Sequence, residues 1–286
     1  MTQNSFGYGN WKVDYTPEDG GRINRLRFLD TDLLTIKPTY FKKPRKDYGM
    51  YENRPVYGYD DCFPSVSECP YPNLDWEVPD HGEVCWLPWK FEEQGNVLSF
   101  EVKSQILPLQ LKRELQFSAN MLVWHFELTN LGDKTYPFQH VMHPLMPLKN
   151  IVAIQLPHFS CAYDDIAAQN VDLDSSDKVE EFLMGQPEGT AQMLFLQKIE
   201  KGQLSLVFKK GVQLEINFSK DLFPTIGIWW NNNGYPDETN LRRNECAFEP
   251  ISGANSSLKN TNKAGNCLFV SAGQKITWDI EWKMTR

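Results

Sequence analysis

The stretch Leu109-Gln-Leu-Lys-Arg-Glu-Leu-Gln-Phe117 alternates apolar and polar residues along its whole length. After a short interval, Leu122-Val-Trp-His-Phe-Glu-Leu128 resumes the same alternation. Because successive side chains of a β-strand point to opposite faces, each run predicts a half-buried strand. Ala119-Asn120 between them fits a tight turn, so the two runs together predict an antiparallel hairpin.

The same alternation recurs through most of the chain. Residues 204–208 and 212–218 predict a second hairpin, and residues 276–282 predict a late strand. Helix signals are few; Asp174-Ser-Ser-Asp177, followed by apolar residues at helical spacing, predicts one short capped helix. Because no repeat and no Gly/Ser linker divides residues 1–286, we predict a single all-β domain, a large antiparallel β-sandwich of two packed sheets.

The charge balance is acidic, since 29 Lys and Arg face 37 Asp and Glu and leave a formal net charge of −8. Such a surface repels phosphate backbones and anionic lipid, so we expect no nucleic-acid partner and no membrane partner. No run approaches the ~20 apolar residues of a membrane helix, and Met1-Thr-Gln-Asn-Ser5 does not begin a secretory signal. We therefore expect a cytoplasmic protein, a monomer or weak homodimer, with its six cysteines as reduced thiols.

Aromatic residues make up 13% of the chain, including nine Trp. Aromatic side chains favour strands and fill wide cores, but flat rings also stack on sugars in carbohydrate-binding clefts. Composition leaves both readings open. The long Pro- and Tyr-rich stretch 38–89 has little regular pattern, which in a compact domain is typical of loops that build a site.

Histidine is scarce, and none of the five residues has the spacing of a metal ligand set. His140 and His143 are three positions apart, so on a strand they point to opposite faces and cannot bind one ion. The sequence has no His-x-His pair, no phosphate-binding glycine loop and no Gly-x-Ser-x-Gly elbow. We therefore predict no metal and no cofactor, which leaves acid–base chemistry by side chains.

Three residues are candidates for a polar cleft. His81 lies in Asp80-His-Gly-Glu83, which is either a tight turn or a cleft histidine flanked by carboxylates. Glu249 precedes Pro250, which makes its backbone extended; it is either a surface residue at a strand end or a cleft base. Arg113 lies on the apolar phase of its strand, where it either extends to an edge or enters a polar pocket.

An ordered set of short motifs resembles the aldose 1-epimerase, or galactose mutarotase, superfamily. The set spans nearly the whole chain and is more specific than any single motif. The motifs are Gly21-Arg-Ile-Asn-Arg-Leu26, Pro79-Asp-His-Gly-Glu83, Trp86-x-x-Trp89, Lys112-Arg-Glu-Leu115, Leu128-Thr-Asn-Leu-Gly132, His140-Val-Met-His-Pro144, Gly234-Tyr-Pro236 and Ala247-Phe-Glu-Pro250. The resemblance implies an antiparallel β-supersandwich whose catalytic members interconvert the α and β anomers of free sugars.

Carried onto this chain, the resemblance implies three catalytic residues. His143 is the implied acid, Glu249 the implied base, and His81 binds or polarises the sugar. Arg113 is implied as a sugar contact, by analogy with relatives that carry Arg on the matching strand. The remaining substrate-binding candidates are aromatic or polar: Trp86, Trp89, Trp230 and Asn231, with Trp229 as a further candidate for an aromatic wall. The implied partner is a small-molecule sugar.

The chain departs from the family pattern at several of these motifs. Pro144-Leu145 follows His143 where classical members have Tyr-Phe-Asn, and no aspartate matches the family residue that holds sugar hydroxyls. Glu83-Val-Cys85 stands where sugar-phosphate epimerases carry Arg, which together with the net charge predicts an unphosphorylated substrate. The alternative function is a non-catalytic or repurposed carbohydrate-binding relative, because a fold does not determine a function.

Overall fold

The computed structural model describes residues 2–39 and 50–286. About 48% of the chain is strand and 9% is helix, which confirms the all-β fold class. The strands in chain order are β1 (Asn4–Tyr8), β2 (Trp11–Thr16), β3 (Arg22–Phe28), β4 (Thr31–Asp32), β5 (Tyr59–Cys62), β6 (Cys69–Pro70), β7 (Glu77–Val78), β8 (Lys90–Gln94), β9 (Val97–Lys103), β10 (Leu109–Phe117), β11 (Met121–Asn130), β12 (Tyr136–Phe138), β13 (Val141–Pro144), β14 (Ile151–Gln155), β15 (Cys161–Asp164), β16 (Gln169–Val171), β17 (Thr190–Gln197), β18 (Gln203–Phe208), β19 (Gln213–Phe218), β20 (Thr225–Asn232), β21 (Asn244–Ile251), β22 (Leu268–Val270) and β23 (Lys275–Thr285). The helices are α1 (Ser176–Met184) and α2 (Leu258–Lys263), and 3₁₀ turns lie at Tyr51–Asn53, Val84–Trp86, Leu148–Asn150 and Thr239–Leu241.

One layer is an eight-stranded antiparallel sheet in the order β14-β18-β19-β23-β11-β10-β9-β8. The predicted hairpins are confirmed: β10 pairs with β11, with Leu115 opposite Trp124, and β18 pairs with β19. Along β10 the apolar residues and Arg113 are buried, while the other polar residues alternate to partly or fully exposed positions. Burial of one face of each strand therefore accounts for the period-two pattern in the sequence.

The opposite layer consists of two sheets that meet edge to edge, so the strands form three large sheets rather than the two expected. One has the order β1-β2-β3-β5-β13 with β4 beside β3, and the other has the order β16-β15-β17-β20-β21. The edge strands β13 and β21 are joined just beyond β13 by paired backbone hydrogen bonds of 2.7 and 2.9 Å between Met146 and Cys246. Pro144 on β13 and Pro250 on β21 lack the N–H that a continuous ladder requires, which favours edge positions. We call this junction the seam.

Most of the aromatic residues pack between the layers. The bulkiest buried side chains include Trp11, Trp124 and Trp282, each at most 1% exposed, so the high aromatic content is largely core. The predicted helix is confirmed as α1, capped by Ser175, whose hydroxyl accepts from the Lys178 amide. All six cysteines are free thiols. In the described part of the chain, we find no helix with the length and apolarity needed to cross a membrane.

Candidate functional site

A cavity of about 560 Å³ opens where the two sheets meet at the seam. His143 enters it from β13 and Glu249 enters it from β21, one from each side of the seam. When the register of the Met146–Cys246 pair is extended by three residues along both antiparallel strands, His143 falls opposite Glu249. The fold thus brings two residues together that lie 106 positions apart in the sequence.

The orientation of His143 is fixed by the neighbouring strand. Asp60 on β5 is its direct cross-strand partner, and the Asp60 Oδ1 lies 3.0 Å from the His143 Nδ1. The Tyr51 hydroxyl donates to Asp60 Oδ2 at 2.8 Å and lies 3.2 Å from the same ring nitrogen. An ionised carboxylate only accepts, so His143 Nδ1 carries a hydrogen and Nε2 is the ring nitrogen left for a ligand.

Asp60 is held in its charged form although it is buried. Burial alone would raise its pKa, but the hydrogen bond from His143 and the charges of Arg54, His143 and Arg22 outweigh it and hold the pKa well below its usual range. Arg54 lies 3.3 Å and Arg22 3.9 Å from the Asp60 Oδ2. Both guanidinium groups also pair with Asp19, at 3.1 and 2.7 Å. The ionised Asp60 carboxylate accepts the hydrogen of His143 Nδ1 and so fixes the orientation of the ring.

Glu249 is only 4% exposed, and its carboxylate has no hydrogen-bond partner among the described residues. It lies opposite Gly227 on β20, where the missing side chain leaves room; a Cβ there would lie 3.3 Å from the Glu249 Oε2. Burial raises the pKa of Glu249 to about 7, against the opposing charge of His143 and with a further raising contribution from Asp60. A carboxylate with that pKa is suited to accept a proton near neutral pH.

His81 reaches the cavity from a strained turn. His81 and Gly82 have φ values of +61° and +76°, and a Cβ at Gly82 would lie 2.1 Å from the Phe63 carbonyl oxygen, so this turn requires glycine. The His81 Nδ1 lies 2.9 Å from the Asp80 Oδ1. Its ring stacks on the Tyr51 ring, with centroids 3.7 Å apart and planes at 12°, and its centroid lies 4.9 Å from that of His143.

Trp229 supplies the aromatic wall. It lines the cavity from β20, and its ring meets the Tyr235 ring edge to face at a centroid distance of 5.9 Å. Trp230, the next residue on the strand, points to the other face and is 2% exposed in the core. Trp230, predicted as a sugar contact, therefore does not reach the cavity, because strand alternation sends only one of the two rings to it.

Four further predicted contacts lie away from the cavity. Arg113 is fully buried between the layers, where it pairs with Asp61 and lies under the rings of Tyr59, Trp89 and Phe100. Trp89 covers Arg113 and donates from Nε1 to the Val84 carbonyl at 2.9 Å.

Trp86 packs in a small cluster beside Cys85 and Leu145 rather than on the cavity. Asn231 is fully buried as a turn residue, accepting from the Gly234 and Tyr235 amides. These predicted contacts lie away from the cavity for one reason. Each side chain packs against, or hydrogen-bonds to, other parts of the protein instead of facing a ligand.

Glu83 also points away from the site. Its carboxylate accepts from the Ser104 hydroxyl and from the Gln105 amide at 2.9 Å, and it does not line the cavity. The acidic residues that do line it are Glu52, Asp80, Glu245 and Glu249. Among these, Glu52 and Glu245 both bind Arg243, whose guanidinium lies 2.7–2.9 Å from their oxygens.

Sequence reasoning missed Asp60 and Tyr51. Both lie in the irregular stretch 38–89, which was expected to build a site; residues 40–49 of it lie outside the described part. The signal was present as Tyr59-Asp-Asp-Cys62, a strand with a carboxylate on each face, but only the fold shows which carboxylate meets the histidine that lines the cavity.

No protein-family model matches the sequence, and no curated protein matches it either. Solved structures do match over the whole length. Slr1438 protein from Synechocystis sp. PCC 6803 is 16% identical at a TM-score of 0.75, over 99% of this chain and 96% of that one. A galactose mutarotase related enzyme from Lactobacillus acidophilus is 13% identical at a TM-score of 0.69, over 100% and 98%. A galactose mutarotase-like protein from Lactobacillus casei ATCC 334 is 14% identical at a TM-score of 0.68, over 99% and 100%. The chain therefore has the galactose mutarotase-like fold.

Proposed function

We propose that the protein is an aldose 1-epimerase that interconverts the α and β anomers of an unphosphorylated sugar by acid–base catalysis. The observation that carries the proposal is the meeting of His143 and Glu249 in one cavity, with a buried carboxylate behind the first and a raised pKa on the second. These are the two groups that ring opening requires: one that delivers a proton and one that removes a proton from a neighbouring oxygen.

In the proposed reaction, the protonated His143 donates from Nε2 to the ring oxygen while Glu249 takes the proton of the anomeric hydroxyl. The bond between C1 and the ring oxygen breaks, and C1 becomes an aldehyde carbon. Rotation about the C1–C2 bond exposes the other face, and the ring closes with both proton transfers reversed. Asp60 holds the His143 ring through Nδ1 while Nε2 gives up and regains its proton, and His81 hydrogen-bonds to a sugar hydroxyl. Each transfer by a positioned group typically contributes about 10²–10⁴-fold to the rate.

The cavity chemistry supports a neutral sugar as the partner. Trp229 offers a flat ring for the apolar face of a pyranose. Among the described lining residues, four carboxylates surround one guanidinium, that of Arg243, and two of them already bind it. A phosphate dianion would meet uncompensated negative charge there. The proposed proton transfers need neither a metal nor a cofactor.

The test is anomer exchange. Freshly dissolved α-anomers of glucose, galactose and neutral relatives are followed by NMR or polarimetry, with the buffer-catalysed rate subtracted. A protein-dependent rate that saturates with sugar supports the proposal. Saturable sugar binding with no rate above buffer would instead support the non-catalytic carbohydrate-binding alternative.

A further inference from the structure

A third group with metal-binding chemistry lies buried next to the two histidines of the cavity. Cys62 is on β5, two residues from Asp60, so both side chains point to the same face of the sheet as His143. The Cys62 thiol, one imidazole nitrogen of His81 and one of His143 all lie within 4.8 Å of one another. Sequence spacing could not reveal this set, because its members come from two strands and a turn.

The two histidines are presented in the way that metal ligands are. Each has its Nδ1 next to a carboxylate, His143 at 3.0 Å from Asp60 and His81 at 2.9 Å from Asp80. Metal-bound histidines usually donate their second ring nitrogen to a carboxylate or carbonyl, which fixes the ring and makes the free nitrogen more basic. This arrangement leaves both Nε2 atoms without a hydrogen-bond partner among the described residues.

The Cys62 thiol is the unexplained member of the set. It is 1% exposed, packs with Val141, Phe195 and Ile251, and has no hydrogen-bond partner among the described residues. The proposed sugar reaction gives it no role. A buried thiol beside two oriented imidazoles supplies one soft and two borderline ligands, the donor set that zinc prefers.

We propose that Cys62, His81 and His143 bind one Zn²⁺ ion, with the fourth position open to the cavity, and that zinc inhibits sugar turnover by occupying the His143 Nε2. Zinc–sulfur and zinc–nitrogen bonds of about 2.0–2.3 Å put tetrahedral ligand atoms ~3.3–3.8 Å apart, so the three atoms must close by about 1 Å. On binding, the thiol gives its proton to solvent and its sulfur lone pair to the metal. The inhibitory part rests on the proposed function; the binding part does not.

Binding is tested on the full chain with Co²⁺ as the probe. Chelator-treated protein is titrated with Co²⁺, and absorbance is recorded for the thiolate-to-cobalt charge-transfer band and the visible bands of a tetrahedral ion. We expect one cobalt per chain, displaced by Zn²⁺. Cys62→Ser should abolish the charge-transfer band, whereas Cys161→Ser, which alters a more accessible thiol on β15, should retain it. No band, or a band that survives Cys62→Ser, would overturn the site.

Asp80→Asn keeps all three ligands and covers the case in which Cys62→Ser fails to fold. It should weaken zinc binding by about 10–100-fold, the usual cost of losing a carboxylate behind a metal-bound histidine. Unchanged affinity would contradict the site as drawn.

Inhibition is then measured as the ratio of anomer-exchange rates with and without zinc. The rate should fall with the same midpoint as direct zinc binding and recover with chelator. Tight zinc binding with an unchanged ratio would overturn the inhibition. A protein without any exchange activity would refute the proposed function, while the cobalt spectrum would still decide the metal site.

Discussion

Asp60 and Asp61 are neighbours on one strand, and each pairs with a histidine and an arginine, but on opposite faces of the sheet. Asp60 lies on the face of the sheet that carries His143, whose ring lines the cavity. Asp61 faces the space between the layers, where it binds Arg113. The two clusters contain the same kinds of charged group and differ in what lies beyond them.

The cluster around Asp61 is closed. His140 is 1% exposed, lies 3.0 Å from the Asp61 Oδ1 and packs on Phe126 and Trp278. His143 is 7% exposed and borders a cavity in which the Glu249 carboxylate has no hydrogen-bond partner from residues 2–39 or 50–286. Charge pairing by itself therefore does not mark a site; the cavity beside the pair, with the Glu249 carboxylate in its lining, does. The Asp61 cluster stabilises the fold, whereas we infer that the Asp60 cluster performs chemistry.

The largest expected effect is on the rate of anomer exchange after substitution of the two proposed catalytic residues in the cavity. His143→Ala and Glu249→Gln should each lower kcat/KM by about 10²–10⁴-fold, because each removes one of two coupled proton transfers. The double variant should lose little more than either single one. His125→Ala, which alters a half-exposed histidine bound to Asp279, is the matched control and should leave the rate unchanged. Full activity in either single variant would refute the assignment.

The second prediction separates the two aspartates by what they change. Asp61→Asn should lower the free energy of unfolding by about 3–5 kcal/mol, because it leaves Arg113 buried and unpaired, with little effect on kcat per folded molecule. Asp60→Asn should lower kcat by roughly 10- to 150-fold, the equivalent of a charged hydrogen bond of about 1.5–3 kcal/mol. Denaturant unfolding and kinetics are measured on both. If the two variants changed the free energy of unfolding and kcat by the same amounts, the distinction between the clusters would be wrong.

The sequence predicted the strands well and the site in part, and the two aspartates explain why. Alternation along 109–117 and 122–128 follows from burial of one face, which is a local property. That alternation also places Arg113 on an inward face, but it does not distinguish a cavity from a sealed core. Which of Asp60 and Asp61 pairs with a histidine that borders the cavity depends on the seam between two sheets, and that seam joins residues far apart in sequence.

The third prediction concerns pH and the raised pKa of Glu249. Because the carboxyl must be ionised to act as base, kcat/KM should be half-maximal near pH 7 on the acid side and about tenfold below its plateau at pH 6. The unfolded carboxyl ionises near 4.5 and the folded one at about 7, so ionisation is less favourable in the folded state. The free energy of unfolding should therefore fall by about 3 kcal/mol as pH rises through that interval. Glu249→Gln should remove this fall; an unchanged pH dependence of stability would show that Glu249 is not the titrating group.

The smallest expected effect concerns the excess of negative charge in the cavity lining. The sealed cluster pairs its aspartate with Arg113, whereas the cavity lining has four carboxylates and Arg243 as its guanidinium among the described residues. Glucose 6-phosphate should therefore bind at least about tenfold more weakly than glucose, since like charges brought together in a desolvated site are costly. Glu52→Gln should reduce this difference in affinity between the two sugars. It removes one carboxylate and weakens the pairing of Arg243, so the affinity for glucose 6-phosphate should change more than the affinity for glucose. Both affinities are measured by competition, with inhibition of the anomer exchange of a neutral sugar as the readout. Tighter binding of the phosphate to the unaltered protein would mean that Arg243 exchanges its carboxylate partners for the phosphate, and the neutral-sugar assignment would then be wrong.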